Sequence, residues 1–379
     1  MRSLLALLLA AALAGCAGVP VLGEPLPWRD DRFADVPASA ITAEDLFRLP
    51  PELLRELHAP EVQALRPKQR LAKLLDVVYG PDRRRFDFAA GHSTVASETW
   101  RLRRGDCISL TLLTYGAARA LGLQAVMQEV HVPAVYDRRG ELDYVNHHVN
   151  VLVLLSSERA MPVLLRADDV IIDFEPEFAS TARGQPLSDD AVLARYLNNL
   201  GVEALARQDL GLAHAYLRAA VRAQPGYAAT YTNLGALYLE RGLLAEAEQW
   251  LRRSVALAES PEHPLRALHQ LLVAQGRTAE AAEVAARLRS WQENDPYYWV
   301  AEGIRHLRDA HPREAVRALQ KAQDMTHGFT EVHRYLALAY WRLGEATQAR
   351  EQLALLAQLN AGDPMGAKLR RKFNTQFIP

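Results

Sequence analysis

The chain begins with an unbroken apolar run from Leu4 to Leu13, behind a positive charge at Arg2, and no apolar run of that uniformity recurs. From Ala17 to Pro37, Pro, Gly and Asp interrupt any periodicity, which predicts a stretch without regular structure of its own. Helical spacing starts near Thr42, with Asp45 three residues on in loose capping-box register, and breaks at Pro50-Pro51. A second helix over Lys68–Val78 sets Leu71, Leu74, Leu75 and Val78 on one stripe and stops at Gly80-Pro81. Ile108 to Leu121 is apolar on nearly every side, the pattern of a helix inside a core, with Asp106 its predicted N-cap and Gly122 its predicted left-handed C-cap. The period then shortens to two. Ala125–Val132 alternates Val126, Gln128, Val130 and Val132 against Met127, Glu129 and His131, and Pro133–Gly140 reads as a long turn. Asn146–Val153 sets Val149, Val151 and Val153 against His148, Asn150 and Leu152, and Val170–Phe174 forms a third strand that carries Asp173 among apolar neighbours.

Beyond residue 190 the pattern repeats. Ala213, Ala247, Ala281, Ala315 and Ala349 recur every 34 residues, followed four positions later by Leu217, Leu251, Ala285, Leu319 and Leu353. Gly201, Gly235 and Gly303 keep the same step or its multiple, as do Gly242, Gly276 and Gly344, while His269 stands where a third glycine would fall. Small residues at such spacing mark places where paired helices approach closely. The length, with Leu200-Gly201, Leu234-Gly235, Ala247 and Pro225, resembles the tetratricopeptide repeat. That resemblance implies an all-α solenoid over 190–362, about five repeats whose first helices line a concave face. Val202, Leu205, Leu239, Ile304, Leu307, Leu338 and Trp341, one and four positions after the glycine or its replacement, would make that groove apolar and suited to a protein or peptide partner. The preceding domain or the C-terminal segment 363–379 is the alternative occupant of the groove.

Charge narrows the partners. With 44 basic and 45 acidic residues in 379 the net charge is -1, and no long charge run appears, so the balance argues against nucleic acid or general polyanion binding. Arg83-Arg84-Arg85 and the basic run from Lys368 to Lys372 read as solvated faces. The apolar run at the start is too short to span a bilayer, where about 20 residues are needed, and reads as a signal peptide. Its end, Leu13-Ala14-Gly15-Cys16, resembles the bacterial lipobox. The resemblance implies a signal peptide over 1–16, lipidation at Cys16 and, with Ala17 following, an outer-membrane lipoprotein facing the periplasm of the cell envelope. Membrane contact would be by the lipid anchor only, through a tether over 17–40.

That assignment matters because the chain has two cysteines. With Cys16 committed, Cys107 would remain a thiol in an oxidising compartment, at a helix start whose dipole favours a thiolate while the adjacent Asp106 carboxylate opposes one. A cysteine at a helix start followed by strands that deliver a histidine and an aspartate is the order of a thiol nucleophile, its base and the base's orienter. Strict alternation puts His147 and His148 on opposite faces, so only one can point at a given site, and a bulge would exchange them.

Residues 68–176 resemble the bacterial transglutaminase-like cysteine-enzyme superfamily within the papain-like group. The matching pieces are Arg103-Arg104-Gly105-Asp106-Cys107-Ile108-Ser109 leading into Ala117–Leu123, then His148-Val149-Asn150-Val151 and Ile172-Asp173-Phe174. The resemblance implies an α+β fold over 41–185, with Cys107 as nucleophile, His148 as base, His147 as the alternative base, and Asp173 as orienter. Two departures bear on substrate: Asn150 replaces a frequent aromatic residue, and Phe174-Glu175-Pro176 follows Asp173 where a proline would follow directly. A metal site built from His131, His147 and His148 lacks a fitting ligand spacing, so neither metal nor cofactor is expected. The backbone N–H of Cys107 and, more weakly, Trp100 are the candidate oxyanion donors. The expected function is acyl transfer through an acyl-enzyme on a peptide or protein amide, as a peptidase, amidase or transglutaminase. The alternative is a non-catalytic tetratricopeptide scaffold for envelope assembly, whose enzyme-like domain only binds peptides.

Overall fold

The protein is described by a computed structural model over residues 25–38, 40–80, 86–89, 91–130, 136–139, 142–145, 148–155, 169–174, 184–325, 330–359 and 364–376. The expected signal peptide and Cys16 lie outside these residues, as do His131 and His147. Contacts divide the chain into two units: residues 1–39 with 200–288, and residues 40–199 with 289–379.

Residues 40–199 hold an α+β layer built on one buried helix. Four short helices come first, α1 (Ala43–Phe47), α2 (Pro51–Leu57), α3 (Pro60–Gln63) and α4 (Pro67–Tyr79), three of them opening on Pro at a position where a missing N–H costs nothing. Thr42 and Asp45 form a capping box at α1, with Asp serving in place of the usual Glu. Next come β1 (Asp87–Phe88), α5 (Ala96–Leu102), β2 (Arg104–Gly105) and α6 (Cys107–Ala120). Ile108, Leu110, Leu112, Leu113, Ala117 and Ala118 of α6 are all buried, covered by Leu46, Leu53, Leu57, Leu74 and Val78 from the helices before it. Gly122 ends α6 at φ 66°, where the bonds Gly122 N–H to Arg119 O and Leu123 N–H to Ala118 O close a Schellman motif.

The other side of α6 is covered by a sheet in the order β7-β6-β3-β8. Its strands are β3 (Gln124–Val130), β6 (His148–Leu154), β7 (Val170–Ile172) and β8 (Gln185–Pro186). β3 and β6 run antiparallel in a register that places Gln128 opposite Asn150 and Val130 opposite His148. The stretch expected as a long turn instead contains β4 (Tyr136–Arg139), paired with β5 (Leu142–Val145) as a hairpin. A run of mixed charge and Tyr without apolar alternation hid that strand pair.

Helix pairs follow: α7 (Asp189–Ala206) with α8 (Leu210–Ala223), α9 (Ala228–Glu240) with α10 (Leu244–Leu257), and α11 (Glu262–Ala274) with α12 (Thr278–Asn294). The later pairs are α13 (Pro296–Arg308) with α14 (Pro312–Met325) and α15 (Thr330–Arg342) with α16 (Ala346–Leu359), before a last helix, α17 (Pro364–Gln376). The 34-residue step has a steric cause. A Cβ at Gly201, Gly235 or Gly303 would come within 2.7, 2.6 or 2.5 Å of Leu217, Leu251 or Leu319 on the facing helix. Where His269 replaces the glycine, the residue at the facing step is Ala285, so bulk on one helix is matched by its loss on the other. No helix among the described residues is long and apolar enough to cross a membrane.

Candidate functional site

Asp106 builds the start of α6. Its Oδ1 accepts from the Ser109 N–H at 3.0 Å and the Ser109 hydroxyl at 2.5 Å, and its Oδ2 accepts from the Ser93 hydroxyl at 2.6 Å. This carboxylate is 5% exposed and thus works as a cap that fixes the first helical turn, where Cys107 stands. Among the described residues Cys107 is in no disulfide and is partly buried. One turn on, the Thr111 hydroxyl donates to the Cys107 carbonyl at 2.7 Å and also lies 3.4 Å from the Val149 carbonyl of β6. Residues four apart share a helix face, so Thr111 seats the face that carries Cys107 against the strand at the residue after His148.

His148 and Asp173 meet. The His148 Nε2 stands 2.7 Å from Asp173 Oδ2 and 2.8 Å from Oδ1, with side chains 3% and 5% exposed. A carboxylate accepts from Nε2–H, so this pairing puts the proton on Nε2 and makes Nδ1 the basic nitrogen. Asp173 is held by two further bonds, one to its carboxylate and one to its backbone carbonyl. The Asn150 amide donates to Oδ2 at 3.0 Å, and the Tyr79 hydroxyl donates to the Asp173 carbonyl at 3.0 Å.

Asn150 is itself oriented. Its Oδ1 accepts from the Gln128 amide at 2.9 Å, and Gln128 Oε1 accepts from the Gly184 N–H at 3.0 Å. Gln128 and Asn150 are 1% and 0% exposed, so each amide spends its donor and acceptor inside the sheet in one directed chain that ends on Asp173. In sequence Gln128 had no assigned role, and Asn150 stood only as a departure bearing on substrate. Their signal was an amide on each of two strands, which the antiparallel register places directly opposite one another.

Trp100 is 7% exposed, and the Arg103 guanidinium lies 3.7 Å from its ring centroid, so the indole face is stacked with a cation. Arg103 holds a left-handed backbone at φ 54°, which turns the chain from α5 into β2 just before the cysteine. Of the histidines weighed for a metal, only His148 is described, and no group of three metal-ligating side chains stands together among the described residues.

The expected groove residues pack inward. Val202, Leu205 and Leu307 are 4%, 1% and 4% exposed, and Leu239, Ile304, Leu338 and Trp341 are partly buried against the interior clusters. At the end of the chain α17 supplies Leu369 to the cluster that Leu338 and Trp341 border, and Lys372 Nζ sits 4.6 Å from the Trp341 ring centroid. α17 thus packs beside Leu338 and Trp341. The expected tether over 17–40 differs too: Trp28 and Phe33, two aromatic residues amid Pro, Gly and Asp, hold its described part against α8 and α10.

Residues 198–264 and 300–364 match the family described as Tetratricopeptide repeat. No curated protein matches the chain. Among solved structures the chain is similar to YrrB, titled a TPR protein with an unusual peptide-binding site, at 17% identity over 47% of this chain and 92% of that one, with a TM-score of 0.26. It is similar to a thermophilic TPR protein of Thermus thermophilus at 17% identity over 49% and 100%, TM-score 0.26. It is also similar to pilF of Pseudomonas aeruginosa at 19% identity over 50% and 88%, TM-score 0.27. Tetratricopeptide repeats are thus present over residues 198–264 and 300–364.

Proposed function

We propose that the chain joins a protein- or peptide-binding repeat region to a thiol site of the acyl-transfer type, carried on an envelope lipoprotein. The family match supports the binding half. The chemical half rests on one observation, the buried pair between His148 Nε2, on a strand that covers a helix opening at Cys107, and Asp173, just after the neighbouring strand.

In this reading His148 Nδ1 takes the proton of the Cys107 thiol while Asp173 holds the ring by Nε2. The thiolate adds to an amide carbonyl, the imidazolium returns its proton to the leaving amine, and a thioester remains on Cys107. Water then gives a free acid, or a second amine gives a new amide. The repeats would bring the polypeptide that carries the amide.

Intact-mass measurement of the protein with envelope peptides tests this. A covalent acyl adduct on the wild type that Cys107→Ser abolishes is expected, with released acid or crosslinked peptide among the products. Equal behaviour of the two proteins, with partner binding retained, removes the chemistry and leaves a scaffold whose α+β region only binds peptides.

A further inference from the structure

The N-terminal segment meets the repeat helices of its own unit as a bound peptide meets a receptor. The Trp28 indole packs on Trp250 with ring centroids 4.7 Å apart and edge-on to His214 at 5.6 Å. Five residues on, the Phe33 ring stacks on His214 at 4.2 Å and 5°. Between them the Arg29 N–H donates to the Tyr238 hydroxyl at 3.0 Å, the Arg29 guanidinium pairs with Glu246 at 2.6 Å, and Asp30 pairs with Arg218 at 2.5 Å. Arg241 donates to the Arg32 carbonyl at 2.9 Å.

Two independent features mark this as a site and not a stretch of core. Gly211, in the first turn of α8, lies so close to the segment that a Cβ there would come 3.0 Å from the Ala34 Cβ and 3.3 Å from Val36. A helix gains nothing from glycine, so the surface is shaped to admit a chain. Second, no residue from Trp28 to Val36 is itself buried, whereas His214, Tyr238 and Trp250 beneath are 6%, 0% and 0% exposed. The His214 Nε2 is buried there with no hydrogen-bond partner among the described residues, 3.7 Å from Asp30 Oδ1, so the segment leaves a donor or acceptor that a better-fitting ligand could satisfy.

We propose that α8, α10 and the end of α9 form a peptide-binding site for an extended segment bearing an indole, a carboxylate and a second aromatic ring at the spacing of Trp28, Asp30 and Phe33, and that residues 28–36 are its resident ligand in cis. The surface is built mainly on second helices of two repeats, α8 and α10, with only the C-terminal end of the first helix α9 joining it through Tyr238. Aromatic anchors supply most of the contact, and linkage in cis gives the resident an effective concentration in the millimolar range.

The test uses the full chain and a labelled synthetic peptide of residues 25–38. Wild type should bind it poorly, because the site is filled. Trp28→Ala with Phe33→Ala should bind at least about tenfold more tightly, and His214→Ala added to that pair should remove the gain. Gly211→Gln, which raises helix propensity while crowding Ala34 and Val36 of resident and added peptide alike, should bind the peptide no better than wild type. Equal peptide binding by wild type and the double variant overturns the proposal. So does loss of helical circular dichroism in both the double variant and Gly211→Gln, because the segment would then be part of the core.

Discussion

The repeat helices and the α+β region bury different things. Between paired repeat helices the close contacts are shape against shape: Gly235 receives Leu251, and Gly303 receives Leu319. Around α6 and the sheet, buried polar groups are wired together, Ser93 and Ser109 onto Asp106, and Gln128 through Asn150 onto Asp173 and His148. Packing of the first kind tolerates change as long as volume is conserved, while a hydrogen-bond chain of the second kind fixes the direction of each donor. The difference assigns architecture to one region and, in the reading given above, chemistry to the other.

Substitutions can break that contrast. Gly235→Val puts branched bulk where a single Cβ already comes 2.6 Å from Leu251, and overpacking of this kind costs about 1–3 kcal/mol. A lowered midpoint of thermal unfolding is expected, with the reactivity of Cys107 unchanged at temperatures where the protein is folded. A midpoint equal to wild type would mean that the helices slide apart freely at this position. Asn150→Ala is the mirror experiment. Losing a buried hydrogen bond costs roughly 1–3 kcal/mol, so in the proposed site the alkylation rate of Cys107 should fall about tenfold or more as Asp173 loses its alignment, and the pH profile of that rate should shift. A purely structural amide would lower the unfolding midpoint and leave the profile in place.

The smallest expected effect is a pH dependence. Burial holds the His214 imidazole below its ordinary 6.5, against the raising influence of Asp30, with Arg218 lowering it further. A histidine kept neutral in the folded state contributes its full stability above 6.5 and loses it as the pH falls through 6.5 toward the depressed folded value. The unfolding midpoint should therefore drop between about pH 7 and 5, and His214→Phe, which keeps the stacking, should flatten that part of the drop. An unchanged slope in the variant would assign the pH dependence to other groups.

The same contrast explains what the sequence revealed. A 34-residue step repeated in alanine and glycine is redundant, so the repeats were visible even though His269 and Ala285 break the pattern together. The cap at Asp106 and the stop at Gly122 were visible because helix ends obey local rules. The order of residue types along the chain brought His148 and Asp173 together as candidates, but choosing His148 over His147 needed the resemblance, since the contact with Asp173 closes between residues 25 apart in sequence. The Gln128–Asn150 link was hidden for a related reason: an amide in a strand shows no partner until the register is known. The docked Trp28 and Phe33 were masked by composition, because Pro, Gly and Asp around them dominate any reading of a short segment.

Whether Cys107 is an activated nucleophile comes down to one measurement. In protein carrying Cys16→Ser, so that a single cysteine reports, the rate of alkylation at pH 7 is compared with that of a simple exposed thiol, with and without His148→Ala. Native reaction at least about tenfold faster than the simple thiol is expected, with the excess abolished by His148→Ala. Native reaction no faster than the simple thiol, and unchanged in the variant, would contradict it.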